Sequence, residues 1–204
     1  MNIFRVNNIF MLFFFLFFFS IKTDAQNPCQ LPPINLHVPN ILQETDLWCW
    51  VAVSQQIIVY RQGNSPSQCA LVAMANNSHP NVCCTNNMFN GNQQCRRGGS
   101  LDQIQWLIGR FCGSPSSIER PTDPMTLYNT LRMNRPIILQ IRPHSNFNLE
   151  GMCHVIVLRG MFSQMSPLGC QAMLYVNDPA SLYPQTMSYQ QLLPLWVRAI
   201  VVIN

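Results

Sequence analysis

The chain has 204 residues, with 12 lysines and arginines against 8 aspartates and glutamates, which gives a formal net charge of +4 at pH 7. Charged residues make up only 10% of the sequence, and the longest run of basic residues is Arg96-Arg97. Nucleic-acid binding needs a clustered basic face, so we expect no nucleic-acid partner. A charged fraction well below the usual level of about 25% favours a single compact extracellular domain.

The first 25 residues are predicted to be a signal peptide. Arg5 provides a positive start, and residues 9–19 consist entirely of Phe, Leu, Ile and Met. This apolar run is roughly half of the ~20 residues that a membrane-spanning helix needs, which argues against the alternative of an uncleaved anchor. We expect cleavage after Ala25 and a mature protein that is secreted or periplasmic, with no stable membrane insertion.

Nine cysteines in an exported chain indicate an oxidising compartment. Because nine is odd, at least one thiol has no partner within the chain. If Cys49 is that thiol, the other eight cysteines could form up to four disulfides, whose pairing the sequence leaves open. Cys153 could instead be a free thiol in the core, and a second cysteine would then be unpaired.

The mature chain is predicted to begin with an extended lead-in, residues 26–36, followed by one domain, residues 37–204. Helix-capping residues and apolar spacing predict the elements that follow. The predicted helices span residues 49–61, 68–76 (after Ser67), 101–111 (after Ser100) and 124–133 (after Asp123), and residues 77–99 form a loop pinned by disulfides.

Short apolar runs bounded by Pro, Gly and Asn predict strands in the remainder of the chain. These runs are residues 137–141, 155–158, 173–176 and 197–203. Helices followed by strands indicate an α+β fold, in which an N-terminal helical lobe packs on a C-terminal antiparallel β-sheet lobe. A ligand is expected in the cleft between the two lobes.

Cys49 is the candidate nucleophile. It opens a predicted helix, and a helix N-terminus favours the thiolate form of a cysteine. Gln43 lies six residues earlier and could donate a side-chain N–H to an oxyanion, together with the backbone N–H of Cys49.

His154 is the candidate base, because among the four histidines it alone begins a predicted strand. Asn177 and Asp178 end the next strand and point to opposite faces, so only one can orient the imidazole. We prefer Asp178, since a carboxylate stabilises imidazolium better than an amide does, and Asn177 is the alternate. Gly98-Gly99, after Arg96-Arg97, either receives substrate or only makes a tight turn ahead of a helix.

These motifs resemble the papain superfamily of cysteine peptidases, and in particular its short bacterial branch of staphopain-like and avirulence-effector proteases. Two features differ from papain: no second cysteine lies just before Cys49, and the interval from Cys49 to His154 is shorter than the ~130–150 residues usual there. The matching motifs are Gln43, Cys49-Trp50-x-Ala52, Cys83-Cys84, Cys95-x-x-Gly98-Gly99, His154-Val155 with Gly160, and Asn177-Asp178-Pro179.

The resemblance implies a papain-like fold and peptide-bond hydrolysis by Cys49, His154, Asp178 or Asn177, and Gln43, with no cofactor and no metal. The expected partner is a protein or peptide substrate, and the enzyme is expected to be a monomer. Two means of restraining its activity stay open, a separately encoded protein inhibitor and oxidation of Cys49. Two alternatives stay open. One is a cysteine amidase acting on peptidoglycan stem peptides, and the other is a non-catalytic disulfide-rich binding protein.

Overall fold

A computed structural model describes residues 29, 31–84, 94–113, 116–119, 123–142, 153–167 and 169–202. The predicted signal peptide lies outside the described residues. The helices are α1 (Cys49–Gln62), α2 (Gln68–Ala75), α3 (Leu101–Cys112), α4 (Pro124–Arg132) and α5 (Tyr189–Leu192), with a 3-10 turn at Pro80–Val82. No helix among the described residues is both long enough and apolar enough to cross a bilayer.

The helix starts follow the local sequence closely. Ser100 and Gln103 form a reciprocal capping box at the start of α3, and the Asp123 side chain accepts from the backbone N–H of Thr126 in α4. Ser67 occupies the cap position of α2, but its side chain makes no capping hydrogen bond. The four predicted helices are thus present, with ends within one residue of those expected.

One antiparallel sheet contains all the strands of the described residues. The strands are β1 (Ile34–Asn35), β2 (Ser116–Glu119), β3 (Ile137–Ile141), β4 (His154–Ser166), β5 (Gly169–Asn177), β6 (Thr186–Ser188) and β7 (Trp196–Val202). Their order in the sheet is β2-β7-β3-β4-β5-β6, and β1 pairs separately with β4.

Three short strands, β1, β2 and β6, were not predicted, and the partners of β1 and β2 lie far away in the sequence. β2 has the sequence Ser-Ser-Ile-Glu, which has little strand character, and it pairs along its full length with β7. β4 continues well beyond the predicted residues 155–158, because β5 pairs with it as far as Ser166. β1 and β6 are short strands added to β4 and β5. The α+β prediction itself is confirmed.

Helix α1 lies between the two lobes and packs against α3 and β4. Most of its first three turns is buried, including Trp50, Val51 and Val53, which are at most 1% exposed. A helix that is apolar on nearly every side belongs in the core. The position of Cys49 is therefore fixed by the packing of both lobes.

The strap, which we define as residues 31–45, crosses the sheet and reaches the start of α1. Its β1 segment lies so close to β4 that a Cβ on Gly160 would be 2.9 Å from the Cα of Asn35. The Leu36 N–H donates to the Arg159 carbonyl at 2.8 Å. The predicted lead-in is thus partly a strand of the sheet.

Three disulfides join Cys29 to Cys170, Cys69 to Cys84 and Cys83 to Cys95. The first ties the chain just before the strap to β5, and the other two pin the loop that was predicted to be disulfide-rich. Cys49 and Cys153 take part in none of them. Cys153 is a free thiol, as that alternative expected, but it is exposed, so its expected place in the core is wrong.

Candidate active site

Cys49 is the first residue of α1 and lines a cavity of about 210 Å³ between the lobes. No acidic side chain lies in the first turn of α1, so nothing there offsets the partial positive charge of the helix N-terminus beside the sulfur. The cavity walls are mainly apolar and come from both lobes. They comprise Leu47, Trp50, Gly98, Gly99, Leu101, Ile104, Gln140, Cys153 and Val155.

His154 begins β4 and is 5% exposed. Its Nε2 lies 2.6 Å from Oδ1 of Asp178, and its ring also forms a hydrogen bond with the Cys49 thiol. Burial disfavours the charged ring, but the hydrogen bonds to Asp178 and Cys49 and their negative charges outweigh it, raising the pKa of His154 to about 9. The imidazolium is therefore stable at neutral pH.

The Asp178 carboxylate is enclosed by hydrogen-bond donors. Oδ1 accepts from the Ala180 N–H at 2.9 Å, and Oδ2 accepts from the N–H groups of Leu182 and Tyr183 at 2.6 and 2.8 Å. Burial alone would raise the pKa of Asp178, but the bond and charge of His154 and the backbone donors lower it. Only a carboxylate has acceptors at both positions, because an amide would direct its NH₂ group at backbone donors.

Asn177 lies on the opposite face of the strand end and does not face His154. Its Oδ1 accepts from Nε of Arg159 at 2.8 Å, and its Nδ2 donates to the Val38 carbonyl at 3.0 Å. Asn177 and Asp178 therefore face opposite ways, as predicted, and the imidazole of His154 contacts Asp178, the preferred residue.

Gln43 lies where the strap meets the loop that follows Asp178. Its backbone N–H donates to the Pro179 carbonyl at 2.9 Å, and its Nε2 donates to the Thr45 carbonyl at 2.8 Å. That bond uses one of the two N–H groups of the side-chain amide, so the second is free to serve as a donor. The oxyanion role of Gln43 stays a prediction.

The loop containing Gly98 and Gly99 lies against the start of α1. Nε1 of Trp48 donates to the Cys95 carbonyl at 2.8 Å, and Nε1 of Trp50 donates to the Arg97 carbonyl at 3.3 Å. A Cβ on Gly99 would lie 2.6 Å from two atoms of the Trp50 indole, so this position needs glycine. The two glycines line the cavity beside Cys49, which favours the substrate-side interpretation over a simple turn.

Sequence reasoning missed the groups that support this site. The ring N–H groups of Trp48 and Trp50 hold the neighbouring loop, and Gln140 lines the cavity, but none of the three carried a local signal of this role. Within the described residues, no group of three or more His, Cys, Asp and Glu side chains is placed to hold a metal ion.

An α+β fold with cysteine, histidine and aspartate side chains meeting at the cleft defines a papain-like cysteine peptidase. The profile of the family described as "Papain-like cysteine protease AvrRpt2" matches residues 33–194, and the chain belongs to that family. It is accordingly a cysteine peptidase that acts on protein or peptide substrates. The resemblance inferred from the motifs is confirmed.

Solved structures share the fold at low sequence identity. A C39-like peptidase from Bacillus anthracis is 15% identical, with a TM-score of 0.56 over 85% of this chain and 98% of that one. Digestive procathepsin L 3 of the Tenebrio molitor larval midgut is 11% identical, with a TM-score of 0.52 over 88% and 72%. A double glycine motif protease from an AMS/PCAT transporter is 18% identical, with a TM-score of 0.50 over 86% and 100%. No match was found among curated proteins.

Proposed function

We propose that the protein is an exported cysteine endopeptidase in which Cys49 attacks the peptide carbonyl and His154 transfers the protons. The observation that carries this proposal is the continuous hydrogen-bonded chain from Cys49 through His154 to the buried Asp178 carboxylate. Three disulfides are consistent with an oxidising compartment outside the cytoplasm.

In the resting enzyme, Cys49 and His154 form a thiolate–imidazolium pair. Asp178 fixes the ring by binding Nε2, which leaves Nδ1 for the sulfur. The carboxylate favours the charged ring, and the N-terminus of α1 favours the charged sulfur.

Attack of the Cys49 sulfur on the substrate carbonyl carbon forms the C–S bond and moves an electron pair to the carbonyl oxygen. The backbone N–H of Cys49 and the side-chain N–H of Gln43 stabilise this oxyanion. His154 then gives its proton to the amide nitrogen, the C–N bond breaks, and the amine leaves. The product is a thioester on Cys49.

Water resolves the thioester. His154, now neutral, takes a proton from the water as the oxygen attacks the thioester carbonyl. The C–S bond breaks, the carboxylic acid product leaves, and the thiolate–imidazolium pair is restored. Each cycle consumes one water and needs no cofactor.

The residues that line the cavity support a prediction of which peptides are accepted. Its lining is apolar around Trp50, Leu101 and Val155, and it adjoins the sulfur of Cys49. An extended peptide lying along Gly98 and Gly99 would place one side chain in this cavity. We expect peptides with an apolar residue close to the cleaved bond to be the best substrates.

The test combines thiol labelling with digestion. Iodoacetamide applied to the native, disulfide-intact protein is expected to label Cys49 first, and peptide mapping identifies the site. Cys153 is an exposed thiol on the wall of the same cavity, so labelling of Cys49 ahead of Cys153 would show that access to the cavity alone does not explain the reactivity. Wild-type protein should digest casein, and Cys49→Ala should lose this activity by about 10⁴-fold or more.

Two outcomes would overturn the proposal. One is casein hydrolysis by Cys49→Ala at the wild-type rate. The other is a wild-type protein that digests purified peptidoglycan but not casein or unstructured peptides.

A further inference from the structure

Asn177 is one of the most completely satisfied polar side chains in the described part of the chain. It is 1% exposed, and its Nδ2 lies 3.0 Å from the Val38 carbonyl oxygen, 3.2 Å from the Pro39 carbonyl oxygen and 3.2 Å from Oε1 of Gln56. Two N–H groups serve three acceptors, so one is shared. Such a buried amide fixes the positions of all the groups that it binds.

Gln56 is the partner of Asn177 on the helix of the nucleophile. It follows Cys49 by seven residues, about two helical turns, so both side chains project from nearly the same face of α1. Gln56 is fully buried, and its Nε2 donates to the Ile41 carbonyl in the strap at 2.9 Å. Its remaining acceptor faces Asn177.

The strand end at residues 177–178 therefore contacts two different elements through two adjacent side chains. Asp178 binds the imidazole of His154, while Asn177 binds α1 through Gln56. Arg159 on β4 completes the connection by donating to Oδ1 of Asn177 and to Oδ1 of Asn35 in the strap. Helix α1, strand β4 and strand β5 are thereby joined at one point below the cleft.

We propose that the hydrogen bond between Asn177 and Gln56 is a positioning device that sets the distance between Cys49 on α1 and the His154–Asp178 pair on the sheet. Both side chains are at most 1% exposed, so neither amide is accessible to a substrate. This inference rests on the proposed function, because it assigns a role in the same reaction. A misplacement of about 1 Å in a catalytic group can lower a rate by about 100-fold, so a small shift of α1 would be measurable.

Gln56→Met tests the device with little change in side-chain length or helix propensity. Gln55→Met is the matched control, since Gln55 is the adjacent glutamine on α1 and its amide binds the Pro66 carbonyl and Gln68, away from the sheet. We expect Gln56→Met to lower kcat about tenfold or more with KM changed less than about twofold. Gln55→Met should stay within about twofold of wild type in both.

A second measurement separates positioning from general stability. The rate at which iodoacetamide alkylates Cys49 is followed against pH in the folded variants. A longer distance between Cys49 and His154 weakens their pairing, so His154 should lose its proton at lower pH. The change in alkylation rate that accompanies this loss should therefore move to lower pH in Gln56→Met and not in Gln55→Met. If Gln56 only stabilises the fold, its substitution should lower the melting temperature without changing the pH dependence of alkylation.

Asn177→Ser provides an independent variant at the other side of the bond and should shift the alkylation profile in the same direction as Gln56→Met. The inference is overturned if both variants show wild-type kcat and the wild-type profile, or if Gln55→Met matches Gln56→Met. Failure of the proposed function would look different, because wild-type protein itself would then neither cleave peptides nor react selectively at Cys49.

Discussion

The two halves of the active site are built by different means. The half that contains Cys49 is a helix start supported by an irregular loop, which the Cys83–Cys95 disulfide and two tryptophan N–H groups hold in place. The half that contains His154 is a regular sheet, where β4 pairs with β3 and β5 and backbone N–H groups enclose Asp178.

The two halves therefore depend on different conditions. The cleft wall beside Cys49 depends on an oxidised loop and on one glycine that fits against an indole. His154 and Asp178 depend on main-chain hydrogen bonds, which no reductant breaks. Substitutions and conditions that damage one half should therefore leave the other recognisably intact.

Among the substitutions that compare the two halves, the largest effect is expected from Asp178→Asn in the half that contains the sheet. The amide cannot accept at both positions where backbone N–H groups donate, so the imidazole loses its orientation and its stabilising charge. We expect kcat/KM to fall by about 10³–10⁴-fold. The control is Asp123→Asn, which removes one carboxylate at the start of α4 while keeping a side chain able to cap the helix.

The pH dependence of kcat/KM is a second test of the role of Asp178. The raised pKa of His154 keeps the imidazolium up to about pH 9 in wild type, so the alkaline limb of kcat/KM should lie near that value. Asp178→Asn removes a cause of the raised pKa, and the limb should move to lower pH. An unmoved limb in this variant would contradict the assigned role of Asp178.

The free energy of unfolding should also depend on pH, through His154 and Asp178. The raised pKa of His154 contributes stability that is full below its ordinary value of 6.5 and is lost as pH rises through about 9. The lowered pKa of Asp178 contributes stability that is present above its ordinary 3.8 and is lost as pH falls through its lowered folded-state value. Urea unfolding across this range should show a broad maximum between the two, flatter in Asp178→Asn.

Gln43 lies between the two halves and is expected to give the next largest effect. Removing one oxyanion donor should lower kcat by about 100- to 1,000-fold in Gln43→Ala, with KM little changed. Gln43→Glu keeps the side-chain shape but lacks the N–H groups, so it should be no more active than the alanine variant. Full kcat in either variant would remove Gln43 from the mechanism.

A smaller effect is expected from Gly99→Ala in the half that contains Cys49. The new methyl group overlaps the Trp50 ring, which must shift together with the cleft wall. We expect a loss of about 1–3 kcal/mol in unfolding free energy and higher KM for peptides with a bulky apolar residue. Gly98→Ala is the matched control for stability, since no atom lies within 4 Å of its added Cβ. Equal melting temperatures for the two variants would show that the indole is not held as described.

The smallest effect on catalysis is expected from removing Cys29–Cys170. Its sequence separation of 141 residues corresponds to about 5 kcal/mol of stabilisation in the chain-entropy account, against about 3 kcal/mol for the 12-residue separation of Cys83–Cys95. Two variants, each with both cysteines of one disulfide changed to serine, should therefore rank in opposite order for melting temperature and for kcat/KM. Loss of the first should lower the melting temperature more, and loss of the second should lower kcat/KM more. The same ranking in both assays would contradict the comparison of the two halves.

The amino-acid sequence alone determined the parts of this protein that depend on neighbouring residues. Ser100 and Asp123 specify helix starts through side chains that reach only three residues along the chain. The alternation of side chains along a strand required Asn177 and Asp178 to face opposite ways. The order and spacing of Gln43, Cys49 and His154 indicated the chemistry, because each residue type has a definite role in thiol catalysis.

Only the tertiary structure decided the relations between distant segments. The sequence favoured Asp178 over Asn177 on charge alone, whereas the fold supplies three backbone N–H groups that suit a carboxylate at one position and four polar partners that suit an amide at the other. The disulfide pairs, the pairing of β2 with β7 and the partnership of Gln56 with Asn177 are likewise long-range. A hydrogen bond depends on where two atoms meet in space, and local sequence does not specify that meeting point.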